Sequence, residues 1–202
     1  MITVKRYSGL EINRSEALRY AGAAKSPDGE TLCLLDSCYE ELSEARQGIV
    51  CYAETEVTRC GDGLLLGNIR IDSRDIEKYL DGCSRVVIFA ATVGVTPDRL
   101  VRKYVRVSPV RALMTDAVGS ALAESLCDVL CKELRENAAK EGMVTLPRFS
   151  PGYGDLPLEL QREIFDFLDC ERKIGLSLND SLLMTPTKSV TAIVGIRNKG
   201  ER

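Results

Sequence analysis

The sequence predicts an α+β fold, a single domain over 1–202 in which a mainly antiparallel sheet is covered by long helices. Three observations carry this expectation. Residues 48–59 alternate with period two, Gly61-Asp62-Gly63 supplies a turn into a second extended run at 64–71, and helical segments occur without the strict strand–helix alternation of a parallel sheet. At 202 residues, 45% hydrophobic and 28% charged, the chain is long enough to bury one sizeable core. No repeat, low-complexity tract or linker divides it.

Taken in order, residues 1–48 read as a helical lead-in. Asn13 or Ser15 caps a short helix through Glu16-Ala17-Leu18-Arg19-Tyr20, and Ser26-Pro27-Asp28-Gly29 forms a turn. Leu32, Leu34, Leu35, Tyr39 and Leu42 then recur at helical spacing among acids over 30–46. After the hairpin, Asp72 or Ser73 caps a helix over 73–80, and the unbroken apolar run 85–93 suits a central strand. The longest helix runs over about 109–139, with Leu113, Ala117, Ala121, Leu126, Val129, Leu130 and Leu134 on its apolar stripe. Gly119-Ser120-Ala121 in its middle implies close approach by another backbone or a ligand. A further helix spans 158–173 and stops at Gly175, and two strands, 182–184 and 189–197, end the fold.

The composition narrows the chemistry. A formal charge of −3 offers no general basic surface for nucleic acid or anionic membranes, so neither is expected as a partner. No apolar stretch follows Lys5-Arg6 as a secretory signal requires, and the longest apolar run is too short to span a bilayer, which places the chain in the cytoplasm. The eight cysteines are then expected as reduced, buried thiols. Their spacings fit neither zinc-ribbon nor iron–sulfur patterns, and no metal site is expected. With no histidine at all, Ser-His-Asp and Cys-His catalysis are excluded.

One loop stands apart. Residues 146–157, Leu-Pro-Arg-Phe-Ser-Pro-Gly-Tyr-Gly-Asp-Leu-Pro, hold three of the seven prolines and two glycines, so the backbone is pre-shaped and can approach a ligand closely. Arg148 offers a planar fork for a carboxylate and Tyr153 a flat apolar face. Local chemistry fits two roles and by itself favours the first: a rigid interhelical connection with Arg148 in a salt bridge and Tyr153 packed on the core, or a clamp for an amino acid joined to an aromatic base.

The string Arg148-x-x-x-Gly152-Tyr153, between a long helix and Pro157, resembles the RxxxGY signature of the activation domain of cobalamin-dependent methionine synthase. Leu122-Ala123-Glu124 upstream, and 174–181, Met184-Thr185-Pro186 and Ser189-Val190-Thr191 downstream, resemble further stretches of that family, so the likeness is clearest over 110–196. It implies a bent sheet and a groove for S-adenosylmethionine, in a free-standing form of the domain. By the same resemblance Arg148 holds the methionyl carboxylate, Gly152 and Tyr153 approach the adenosine, Ser150 and Pro151 shape the wall, and Glu124 faces the ammonium, with Asp116 a second candidate for that cationic end.

The implied role is reductive methylation of cob(II)alamin to methylcobalamin, with cobalamin carried by a partner methionine synthase polypeptide and an electron from a flavodoxin-like donor. The chain is thus expected as a component of a methyltransferase, without turnover of its own. Activation of another corrinoid methyltransferase and a non-catalytic S-adenosylmethionine sensor are the alternatives. Two departures matter: the family's aromatic residue in the last strand falls near Val194, and its N-terminal acidic contact aligns with no residue here.

Overall fold

The computed structural model describes residues 1–61 and 63–200, leaving aside the side chain of Glu44, so Asp62 of the expected turn lies outside the described residues. In chain order the elements are β1 (Thr3–Ser8), α1 (Arg14–Tyr20), α2 (Gly29–Glu41), a 3₁₀ turn (Ser43–Arg46), β2 (Gln47–Cys60), β3 (Gly63–Leu66), β4 (Ile69–Ile71), α3 (Arg74–Tyr79), β5 (Cys83–Thr92), α4 (Thr96–Tyr104), α5 (Pro109–Lys140), β6 (Met143–Thr145), α6 (Leu160–Leu168), α7 (Cys170–Ile174), β7 (Ser177–Leu178), β8 (Met184–Thr185) and β9 (Ser189–Asn198).

The main sheet runs β4-β3-β2-β5-β9-β6, with β1 also on β2, and its pairings are antiparallel. Strand β2 is long enough to change partner on one edge: its first half pairs with β1 and its last residues with β3, while β5 follows the other edge. β5 is buried on both faces, which is why it reads as an unbroken apolar run. Val87, Phe89 and Ala91 face a core shared with α1, α2 and α5, whereas Val86, Ile88 and Ala90 face a second core under α3, α6 and α7. No described helix is long and apolar enough to cross a membrane.

Capping follows local chemistry. Asn13 accepts from the amide of Glu16, and Ser73 from that of Ile76. Asp28 is the N-cap of α2, accepting from Thr31, rather than part of a free turn. Several expectations are corrected. The lead-in contains β1, whose two cations mask its alternation; Lys5 Nζ lies 2.5 Å from Glu133 Oε1, on α5. The run 64–71 is split into β3 and β4 by a turn at Gly67, α4 and β6 were not foreseen, and the helix over 158–173 breaks at Asp169, whose φ is +51°. Only Met184 of the 182–184 segment is in a strand, because Leu182 takes φ +61°. On α5 Ala117, Ala121, Leu126, Leu130 and Leu134 of the expected stripe are buried, but Leu113 and Val129 are exposed, and Met114, Val118 and Leu122 join the buried face. Of the eight free cysteines only Cys38, Cys51, Cys127 and Cys170 are buried, and Cys33 and Cys60 are exposed.

Candidate functional site

The site begins where the β6–β9 ladder is interrupted. Thr145 pairs with Ile196, and Phe149 forms a bridge with Ile193, so three residues, 146–148, oppose two, Val194 and Gly195. Such a bulge bends the strand and re-aims side chains. Pro147 cannot donate to the ladder, and the amide of Gly195 turns instead to the phenol oxygen of Tyr79, at 3.0 Å. The same hydroxyl donates to Pro147 O at 2.6 Å, so Tyr79 closes the gap in the ladder and pins the residue before Arg148. Burial pushes the Tyr79 phenol well above its ordinary pKa, and it stays a neutral donor.

Arg148 points from this bulge onto α5. Its guanidinium pairs with Glu124 and lies 3.3 Å from Asp128 Oδ1, carboxylates one helical turn apart. The arginine side chain is 25% exposed and that of Glu124 30%, so both charges are half withdrawn from water yet reachable. Burial works against the arginine's charge, but the neighbouring Cys127, Glu124 and Asp128 outweigh it and hold its pKa above the usual value.

The loop beyond Arg148 is fastened at its far end by a reciprocal clamp. Asp155 accepts from the Ser73 hydroxyl and from the amides of Arg74 and Asp75 at 2.9 and 3.2 Å, while its own amide donates to Asp75 Oδ2 at 3.2 Å. The hydrogen bond from Ser73 holds the Asp155 carboxyl below its ordinary pKa. Gly154 is required here, since a Cβ would meet Asp75 Oδ2 at 2.1 Å and φ is +57°. Gly152, at φ +90°, donates to Leu156 O at 2.9 Å and closes the turn.

The first part of this loop borders a groove of about 570 Å³. Arg148, Phe149, Ser150, Pro151 and Tyr153 form one side, and Glu124 lines it from α5. Ser189, Val190 and Thr191 of β9, Met184 of β8 and Gln161 of α6 line it as well, and Glu16, Arg19 and Tyr20 of α1 bring an N-terminal helix to the same space. Two polar atoms among these residues, Gln161 Oε1 and Thr191 Oγ1, are buried and have no hydrogen-bond partner. Buried acceptors and hydroxyls in native proteins are nearly always satisfied, so an unsatisfied pair beside a groove marks a place for ligand or water.

Residues 76–201 match the family described as vitamin B12 dependent methionine synthase, activation domain. The chain belongs to that family. The fold agrees over nearly its whole length: the MetH reactivation domain, solved bound to AdoHcy, superposes with a TM-score of 0.72, covering 96% of this chain and 78% of that one at 16% identity.

Of the residues expected at the site of this activation domain, Arg148, Ser150, Pro151, Tyr153 and Glu124 come together around the groove. Gly152 is not among the lining residues; it shapes the loop. Asp116 is also absent from the lining, being eight residues or ~12 Å along α5 from Glu124, and its Oδ1 is held 2.7 Å from Lys188 Nζ. The small residue Gly119 makes room for Pro97 of α4 and the Lys188 stem, so the close approach foreseen there is packing. Val194 is buried in the α5-side core, and the groove draws aromatic surface from Tyr20, Phe149 and Tyr153. Sequence reasoning missed Glu16, Arg19, Tyr20, Gln161 and Tyr79. The i, i+3, i+4 spacing of the first three marks one face of α1, but nothing local says what that face meets.

Proposed function

We propose that this activation domain binds S-adenosylmethionine in the groove and supports the reductive methylation of cob(II)alamin to methylcobalamin on a methionine synthase polypeptide. The observation that carries the reading is the Arg148–Glu124 pair at the groove's edge, a cation and an anion side by side on two rigid elements. An amino-acid head group is the complementary dipole: its carboxylate matches the guanidinium and its ammonium the carboxylate. The AdoHcy held by the structurally similar MetH domain has that same head group.

The remaining groups fit the rest of such a ligand. Gln161 Oε1 and Thr191 Oγ1 supply hydrogen-bonding capacity for a ribose or a base, and Ser150, Pro151 and Tyr153 form a wall against which a flat base can lie. The volume is that of a site for a ligand of this size. The ligand supplies the methyl group, and cobalamin carried by the methionine synthase polypeptide receives it, with an electron from a flavodoxin-like donor. The chain's own contribution is orientation. Arg148 and Glu124 fix the head group, the Tyr79 bond and the Asp155 clamp hold the loop in register, and the sulfonium is thereby held in one position.

Calorimetric titration with S-adenosylmethionine tests the binding step, and the absence of heat at millimolar ligand overturns it. Mixing the protein with a cob(II)alamin-loaded methionine synthase lacking its own activation domain, plus a reductant, tests the transfer. The expected readout is the absorbance of methylcobalamin, dependent on both the protein and the ligand.

A further inference from the structure

Helix α1 lies outside the span matched to the family, 76–201, yet three of its side chains line the groove. We propose that Tyr20, with Glu16 and Glu124 beside it, forms a cation-recognition corner by which the groove prefers the sulfonium of S-adenosylmethionine over the neutral thioether of S-adenosylhomocysteine. The inference rests on the ligand-binding reading above and adds the selection of charge state.

The corner is built from both walls. Ala17 and Leu18 bury one side of α1 against the core shared with α5, which turns Glu16, Arg19 and Tyr20 toward the groove. The Tyr20 hydroxyl donates to Glu16 Oε1 at 3.3 Å. Glu124 lines the same groove from α5, and the Tyr20 phenol's ionisation is suppressed first by burial and then by the charges of Glu124 and Glu16. An aromatic face flanked by anions attracts a cation and has no comparable hold on a neutral sulfur.

A cation already occupies this corner. The Arg19 guanidinium lies 4.7 Å from the Tyr20 ring centroid and its Nη2 lies 3.1 Å from Glu16 Oε1. The Arg19 side chain is 63% exposed, so it can swing to solvent when a ligand cation takes its place. Arg19 thus acts as an internal competitor for the sulfonium. Loss of the methyl group removes the ligand's sulfonium charge, and with it the attraction to the corner, so the product leaves more readily than the substrate.

Paired calorimetric titrations with S-adenosylmethionine and S-adenosylhomocysteine test this on the full chain. The expected result is that Tyr20→Leu weakens the sulfonium ligand about 3- to 10-fold and the thioether less than about 2-fold, while Tyr20→Phe keeps the wild-type ratio. Arg19→Ala is expected to tighten S-adenosylmethionine alone. Equal weakening of both ligands by Tyr20→Leu, or no change in either, overturns the inference and leaves the binding site standing, as does an equal gain for both ligands in Arg19→Ala. Failure of the wild-type chain to bind either ligand removes the ligand-binding reading and the inference together. Tyr20 is the partly exposed last residue of α1, and circular dichroism checks that each variant is folded.

Discussion

Replacing Tyr79 by phenylalanine removes one oxygen atom and should cost about 2 kcal/mol of stability. That oxygen accepts the Gly195 amide at 3.0 Å and donates to Pro147 O at 2.6 Å. Pro147 is exposed, so water can replace the lost donor there. The Gly195 amide has no such recourse, because Gly195 is buried. A buried donor left unsatisfied costs about 1–3 kcal/mol, and the ring's packing on Phe149, at 5.2 Å, is unchanged. A loss of about 2 kcal/mol lowers the folded-to-unfolded ratio roughly 30-fold and, with an m value near 2 kcal/mol/M, moves the urea midpoint down by about 1 M. Urea unfolding followed by circular dichroism measures this directly. Tyr153→Phe, at a ring 68% exposed, is the control and should leave the midpoint unmoved. A Tyr79→Phe change below about 0.5 kcal/mol would refute the view that this hydroxyl repairs the ladder.

Three further outcomes follow from the same structure. Arg148→Ala should weaken S-adenosylmethionine by about 10-fold or more in calorimetry while costing only ~1 kcal/mol of stability, because both partners of the ion pair keep part of their surface in water and the backbone bonds between Phe149 and Ile193, both 2.8 Å, still hold the loop. Gly119→Ala brings a Cβ to 2.9 Å from Pro97 Cβ and 3.2 Å from Lys188 Cγ; this overcrowding should exceed the ~1 kcal/mol gain in helix propensity and lower the melting temperature. Glu41 accepts from Tyr104, Arg111 and Lys103, and the Tyr104 hydroxyl above all holds its carboxyl below the usual pKa. A depressed folded pKa contributes stability that is full above the unfolded value of about 4.3 and is lost as pH falls through the folded one. Glu41→Gln should therefore be less stable than wild type near neutrality, by about 1 kcal/mol, and the gap should narrow as pH falls below the unfolded value of about 4.3 in urea titrations run across pH.

What the sequence by itself determined is short-range. Asn13 and Ser73 announce their helices because a side-chain oxygen reaches an amide three residues away, and β5 reads as buried because its apolar run allows no solvent face. The loop from Arg148 to Tyr153 is legible for the same reason: its prolines and glycines restrict the backbone within a few residues. The likeness of the segments around it pointed to the right family. β1 escaped notice because a six-residue edge strand carrying Lys5 and Arg6 has no local partner to reveal it, only β2 some forty positions later. The site shows the same division. Arg148 and Glu124 could be chosen from motifs, but Asp116, on the same helix, pairs with Lys188, and no spacing rule foretells that. Tyr79 and Tyr20 belong to the site only because a bulge in β6–β9 leaves one amide free and because α1 packs on α5. Those meetings depend on chain segments more than a hundred residues apart being buried together, and only tertiary packing decides which side chains share that space.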